Sequence, residues 1–446
     1  MDPKKFEALF PADTRFREIE KILTYIKNGG ACEMIGIPGV GKETLFELLV
    51  YNRSVREKHL GSDEATFHFV LVEFVEIRQY SLFDVTKFLF LALSESLRER
   101  KMQEDFEKID SLFKEAFSLH DDAVLFTGLK RAIEYLSEEK DLTVVFLFDR
   151  FKTYFPEVTG QFFANLSVLR SRAKHKFSVV FSLNRPLDQS VEPTLLSDVY
   201  PLVSGHDVYL PLYDEVGLTF RFSYIEKLVG KVLPGEVQKE ILHLTRGLSK
   251  LAKICVEEYF AEMPEQKDLT SFFLKSKVVR SVSYEIWETL TTQEQTILKR
   301  LSGGKEIGVG DEGALSYLEQ IGLIQEKEIT IPLFTDFVRY RAEHTELEKL
   351  SYNDETREIM KGESVLSQKL TAAEYRLLQY LLKHPEQVIE RDEIIRVVWQ
   401  ESKTTEGVTD QAIDQLVFRL RRKIEEDPNN PKHLETVKGR GIRLTP

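Results

Sequence analysis

Gly36-Ile37-Pro38-Gly39-Val40-Gly41-Lys42 lies between an apolar run, Cys32 to Ile37, and a helical pattern, Leu45 to Asn52. Glycines at such a junction let the backbone turn tightly from a strand into a helix. Four further apolar runs follow at Phe67–Phe74, Leu142–Phe148, Phe177–Leu183 and Asp207–Leu212. Long amphipathic stretches separate them, such as Ser81 to Arg100 and Ala123 to Ser137. Strands that read as unbroken apolar runs, spaced by helices, predict a parallel α/β sheet covered on both faces.

The glycine-rich junction also carries chemistry. Backbone N–H groups freed by Gly36, Gly39 and Gly41 can wrap phosphates at a helix N-terminus, and Lys42 can reach the terminal ones. This is the pattern of a P-loop, and it implies ATP or ADP as ligand with magnesium beside it. One departure stands out. Glu43 occupies the position where Ser or Thr should hold Mg²⁺, and Thr44 comes one residue later. Val144 to Phe148 ends in Asp149, a carboxylate placed to orient Mg²⁺ through water. Arg150 follows it where a second acid would act as general base. Whether the site hydrolyses nucleotide is therefore left open. The plain alternatives are a ligand-free strand-helix turn and an Asp that only caps a turn.

Residues 8 to 345 resemble the STAND and Orc/Cdc6-like AAA+ ATPases. Thr14-Arg15 with Glu18-Ile19-Glu20 looks like their adenine-side motif, which implies a nucleotide contact for Arg15. Leu183-Asn184-Arg185 looks like their sensor motif, which implies that Arg185 meets a γ-phosphate. Arg246-Gly247-Leu248-Ser249 occupies the place of the lid motif, with Ser249 for Pro. The layout then implies a helical lid and a winged helix. The latter agrees with a capping box at Thr291-Thr292-Gln293-Glu294, a helix over 315–324 and a hairpin over 324–331.

The last quarter has its own signature. Thr371-Ala372-Ala373-Glu374 is a second capping box, opening a helix that stops at His384-Pro385. Arg391 to Trp399 reads as a second amphipathic helix, and a third begins near Asp410. Its apolar stripe is Ile413, Val417, Leu420 and Ile424. At about 100° per residue the opposite face carries Gln411, Gln415, Phe418, Arg419 and Arg422. Gln pairs with adenine, Arg with guanine, and Phe can touch a thymine methyl, so that face suits a DNA major groove. Arg421 and Lys423 on the flanks are expected to meet phosphates. Leu434 to Leu444 alternates like a hairpin, with Gly439 and Gly441 bracketing Arg440 at a tip suited to a minor groove. Lys438 and Arg443 complete the basic cluster. A solvated amphipathic helix plus an ordinary hairpin is the alternative.

Leu370 to Leu378, Val398-Trp399, Arg419 to Ile424 and Thr436 to Gly441 resemble, in order, the OmpR/PhoB-type effector domain. The resemblance implies a leading small sheet over 358–370 and a three-helix core with its third helix in the major groove. It also implies a C-terminal wing, self-association on direct-repeat half-sites, and an RNA polymerase contact from the loop 400–408. Ile442 stands where the family usually has an aromatic, and no receiver-like phosphoacceptor segment is evident upstream.

Boundaries follow: a P-loop α/β domain over 1–222, a lid over 223–280, and a winged helix over 281–350. A linker over 351–360 then leads to a winged helix-turn-helix over 361–446. The formal charge of −12 conceals a near-neutral C-terminal region with 15 basic and 14 acidic residues from Lys361 onward. Local clusters matter more than the total, because the field decays over about 10 Å. No apolar run approaches a membrane span of about 20 residues, and no secretory signal is apparent. Two cysteines cannot form a disulfide framework, and the histidines show no metal-ligand spacing. The expectation is a cytoplasmic, bacterial-type regulator of transcription, nucleoid-associated when bound to double-stranded DNA and gated by nucleotide. An active ATPase in an initiator-like or remodelling assembly, and a P-loop relic serving as scaffold, are the other readings.

Overall fold

Strands β1 (Cys32–Ile35), β2 (Phe67–Glu73), β3 (Thr143–Asp149), β4 (Phe177–Leu183) and β5 (Asp207–Tyr209) form one sheet in the order β2-β3-β4-β1-β5. Every pairing is parallel. β1 and β4 are buried along their whole length, as a centre covered by helices on both faces requires. The parallel sheet expected from the apolar runs is therefore the observed one. Parallel pairing brings the C-terminal ends of β1, β3 and β4 to one edge, so the loop 36–42, Asp149 and Asn184-Arg185 share that edge. Beneath it Phe148 packs on Phe181 (ring centroids 5.5 Å) and Phe74 (5.2 Å), a rigid aromatic floor for the adjoining Asp149.

These features belong to a computed structural model that describes residues 5–445. It leaves out residues 78–79, 263–267, 309, 349, 355, 363, 400–409, 426–427, 429–430 and 438, and gives only the backbone of 343–348. The chain divides into two units, residues 1–337 and 338–446. In the first, the sheet is followed by helices Glu215–Val229, Gly235–Thr245 and Ser249–Glu262, then by a winged helix. That winged helix comprises helices Lys277–Trp287, Thr292–Ser302 and Glu312–Gln320 and the hairpin β6 (Ile324–Gln325) with β7 (Glu328–Ile329). The expected divisions at 222/223 and 280/281 fall inside helices, because each helix runs on to bury its apolar side.

In the second unit β8 (Leu350–Asn353), β9 (Glu358–Lys361) and β10 (Ser364–Val365) form an antiparallel sheet. The stretch 351–360 is therefore not a linker. Ile359 is buried between half-buried Glu358 and Met360, and Tyr352 pairs with Ile359 across the strands. Helices Ala372–Lys383, Arg391–Val398 and Asp410–Ile424 follow. A second sheet, ordered β11-β13-β12, joins β11 (Val388–Ile389) to the wing strands β12 (Leu434–Val437) and β13 (Gly441–Leu444). One core, including Leu377, Leu381, Ile394, Ile413, Leu420 and Leu444, holds these elements together.

Candidate functional site

A cleft of about 760 Å³ opens at the sheet edge where the three strand ends meet. Gly39, Gly41, Lys42, Glu43, Thr44, Asp149 and Asn184 line it, together with Ser249 and Lys250 of the following helix. Gly39 (φ +80°) and Gly41 (φ +106°) take the left-handed backbone that shapes the loop, and Gly41 caps the helix Lys42–Tyr51. The first amides of that helix lack intrahelical acceptors, which makes its end an anion site. Lys42 donates to the Gly36 carbonyl and to Asn184 Oδ1 (2.9 Å). Burial pushes its ammonium down to about 7, against the opposing pull of Asp149.

The residues beside this loop do not fit a magnesium ion. Glu43 presents an exposed carboxylate where a metal-holding hydroxyl would be, and Thr44 Oγ1 accepts from Arg221 (3.4 Å). The Arg150 guanidinium stands between two acids, 3.8 Å from Glu43 and 3.7 Å from Asp149. The space between loop and strand end that a divalent ion would neutralise thus already holds a cation. Asp149, expected as a magnesium ligand, serves instead as a partner for Arg150. Among the described residues no cluster of three or more His, Cys, Asp or Glu could hold a metal.

Two further cations of the expected site are held by protein groups. Arg15 lies outside the cleft of about 760 Å³ and lines a smaller pocket beside the same loop, with Gly41, Thr44 and Ser249. It is buried, donates to the Pro211 carbonyl (2.8 Å) and the Val40 carbonyl, and lies 3.8 Å from Asp214. It is a staple for the loop. Arg185 also turns away: it donates to Glu294 (2.9 and 3.3 Å) and to the Thr289 carbonyl (3.2 Å), and lies over Tyr317. Sequence spacing gave no warning, since all of these partners but Val40 lie more than 100 positions away. Ser249, at the expected lid position, does line the cleft, and the Lys250 amide donates to the Gly39 carbonyl (3.0 Å).

The second candidate site is the outer face of helix Asp410–Ile424. Ile413, Leu416, Val417, Leu420 and Ile424 are buried. Gln411, Gln415, Phe418, Arg419 and Arg422 are all exposed, with Phe418 at 46%. Arg391 fixes the start of this helix through Asp410 (3.1 Å) and Asp414 (2.6 Å), a clamp that sequence reading missed. The flanking cations are not available as expected. Arg421 donates to the Leu434 carbonyl and Thr436 Oγ1 (both 2.8 Å), tying the helix to the wing. Lys423 donates to Glu374 and the Lys369 carbonyl. Arg443 pairs across the wing with Glu435 (2.6 Å). Arg440 is exposed at the wing tip between Gly439 (φ +71°) and Gly441 (φ +149°). Lys438 and the loop 400–408 lie outside the described residues.

The first unit thus joins a parallel α/β sheet bearing a glycine-rich strand-helix loop to a winged helix, and the second unit holds another winged helix. Residues 367–444 match the family model for the transcriptional regulatory protein, C terminal. The protein PetR of Rhodobacter capsulatus is 36% identical over 99 residues, covering 22% of this chain and 41% of PetR. The sensory transduction protein RegX3 of Mycolicibacterium smegmatis is 43% identical over 75 residues, 17% of this chain and 32% of RegX3. This chain thus spans well under half of these relatives. Among solved structures, the RstA DNA-binding domain of Klebsiella pneumoniae with its RstA box aligns at 24% identity and TM-score 0.19, covering 22% of this chain and 90% of that one. A Walker-type ATPase of Pyrococcus abyssi aligns at 16% identity and TM-score 0.47, covering 76% and 98%. No helix among the described residues is long and apolar enough to cross a membrane.

Proposed function

We propose that this protein is a sequence-specific, double-stranded DNA-binding regulator of transcription, gated by ATP or ADP in the cleft of residues 1–337. The observation that carries the reading is the exposed face of helix Asp410–Ile424, which presents Gln411, Gln415, Phe418, Arg419 and Arg422 while the opposite stripe is buried. Gln415 and Arg422 read base edges, Phe418 meets a thymine methyl, and Arg440 enters the minor groove beside the wing. Arg421, Lys423 and Arg443 act indirectly by holding helix and wing in register. Phosphate contacts come from Arg419 and from Lys438.

On the nucleotide side, the loop amides and Lys42 hold the phosphates, and Ser249 and Lys250 close over them. Binding shifts the equilibrium between forms that differ in DNA affinity. A coupling of roughly 1–3 kcal/mol gives a ~5–150-fold change in operator binding. Glu43 and Arg150, in the places of a metal-holding hydroxyl and a second acid, favour this gating reading over an ATPase cycle. Contact with RNA polymerase and self-association on repeated half-sites complete the proposal.

Selection of bound sequences from a random duplex library by the full chain tests it. A defined motif is expected, lost in Arg422→Ala, and with affinity that changes when ADP or ATP is added. Recovery of no motif refutes the regulator reading. A motif indifferent to nucleotide refutes the gating.

A further inference from the structure

We propose that Glu294, in the cap of the first winged helix, determines which nucleotide the cleft selects by holding Arg185 away from it. The inference rests on the nucleotide reading above. Asn184 and Arg185 are consecutive residues at the end of β4, and they face different partners. Asn184 Oδ1 accepts from Lys42 Nζ at 2.9 Å, on the phosphate loop. Arg185 is committed to Glu294 at 2.9 and 3.3 Å, and to the carbonyl of Thr289, itself a residue of the cleft wall. The Tyr317 hydroxyl donates to the Asn184 carbonyl at 2.6 Å while its ring lies 4.6 Å beneath the Arg185 guanidinium. A short path of polar contacts therefore leads from the P-loop lysine to the cap of the winged helix.

Glu294 has two duties in that position. Its carboxylate accepts from the Thr291 amide (2.8 Å) to complete the capping box, and it neutralises Arg185. It is only 3% exposed, so the pair is shielded from water and the charge on Glu294 binds Arg185 strongly. The cap alone needs an acceptor, which Gln supplies as well as Glu. Holding an arginine needs the charge. The helix could thus be capped without a buried acid, and the acid's specific effect is to keep a cation off the cleft.

While the pair is closed, Lys42 faces the phosphates without Arg185, and a diphosphate suffices for the site. A longer polyphosphate adds negative charge beside Asn184 and competes with Glu294 for the guanidinium. Glu294 thereby biases the free protein toward the diphosphate.

Fluorescent ADP and a non-hydrolysable fluorescent ATP analogue, titrated into the full chain and its Glu294→Gln variant, test this. Glu294→Gln keeps the cap and should raise affinity for the ATP analogue about tenfold, with ADP affinity unchanged within about twofold. The gain should vanish in the double variant Arg185→Ala, Glu294→Gln. An unchanged ratio of the two affinities in a Glu294→Gln protein that melts as wild type overturns the inference, as does a gain that survives loss of Arg185. If wild type binds neither nucleotide, the nucleotide reading falls and this inference with it. If Glu294→Gln does not fold, Arg185→Ala alone carries the test, since it removes the cation that Glu294 and a polyphosphate compete for and leaves the cap intact. The affinity for the ATP analogue should then fall relative to ADP, and an unchanged ratio is again decisive against the inference.

Discussion

Replacing Glu374 should reveal how much of the DNA-binding unit rests on one carboxylate. Glu374 is 1% exposed and lies in the first turn of helix Ala372–Lys383. It accepts from the Thr371 amide at 2.8 Å and from Lys423 Nζ, while Arg419 Nε lies 3.9 Å away. Glu374→Ala removes a helix cap worth about 1 kcal/mol. It also removes a charge-assisted hydrogen bond of roughly 1.5–3 kcal/mol. The Lys423 side chain is 30% exposed, so water recovers part of the second contribution. A total loss of about 2–3 kcal/mol is expected, or roughly 8–20 °C in melting temperature for a domain of this size. Glu374→Gln retains the cap and gives up only the charge, about 0.5–1 kcal/mol. Trp399 belongs to this unit and Trp287 to the other, so Trp399 fluorescence in a Trp287→Phe background follows the relevant transition. Acid adds a second readout. Burial pushes the Glu374 carboxyl up, but hydrogen bonds from Lys423 and Thr371 outweigh it and hold the group below its ordinary value. Its contribution is then complete above the ordinary carboxylate value of about 4.3 and is lost as pH falls through the lower folded-state value. Glu374→Gln should flatten that acid limb. Equal melting of wild type and Glu374→Ala, or an acid limb unchanged in Glu374→Gln, would refute the reasoning.

Three other outcomes are expected. Arg422→Ala should weaken binding to the selected motif by about 1–3 kcal/mol and relax its sequence, with little change on random duplex, as read by competition binding. Lys42 sits down at about 7 in the free protein, and a bound polyphosphate restores its charge. Nucleotide binding above pH 7 should therefore take up a proton and weaken as pH rises, measurable by calorimetry in buffers of different ionisation enthalpy; Lys42→Ala should abolish the uptake. With Arg150 between Glu43 and Asp149, ADP affinity in EDTA should match that in magnesium within about threefold, and a tenfold gain from magnesium would contradict the misfit of the ion.

The sheet was legible because its strands are unbroken apolar runs, a pattern that few other structures need. The outward face of helix Asp410–Ile424 was legible for a similar reason: a 3.6-residue period assigns every position a side. Long cationic side chains followed no such rule. Arg15, Arg185, Arg421 and Lys423 each looked available along the sequence, yet each is held by a carbonyl, hydroxyl or carboxylate of another segment. Periodicity fixes where a Cβ points, whereas the tip of an arginine lies several bonds beyond it and goes where a partner is buried. The strands at 350–361 were hidden differently. They are short and mostly polar, and the turn between them carries Asp354 and Arg357, so the stretch resembles a connector and only Leu350 and Ile359 give away the buried side.

The missing side chain at Gly39 acts as clearance for the helix that begins at Ser249. A methyl group there would come within 2.8 Å of Lys250 Cβ, on a backbone already in the left-handed region. Alanine at 39 would work as a doorstop, propping the roof ajar and parting the Lys250 amide from the Gly39 carbonyl. How closely Lys250 meets the loop is thus fixed by one hydrogen atom's worth of room, so any side chain at this residue would reshape the mouth of the cleft.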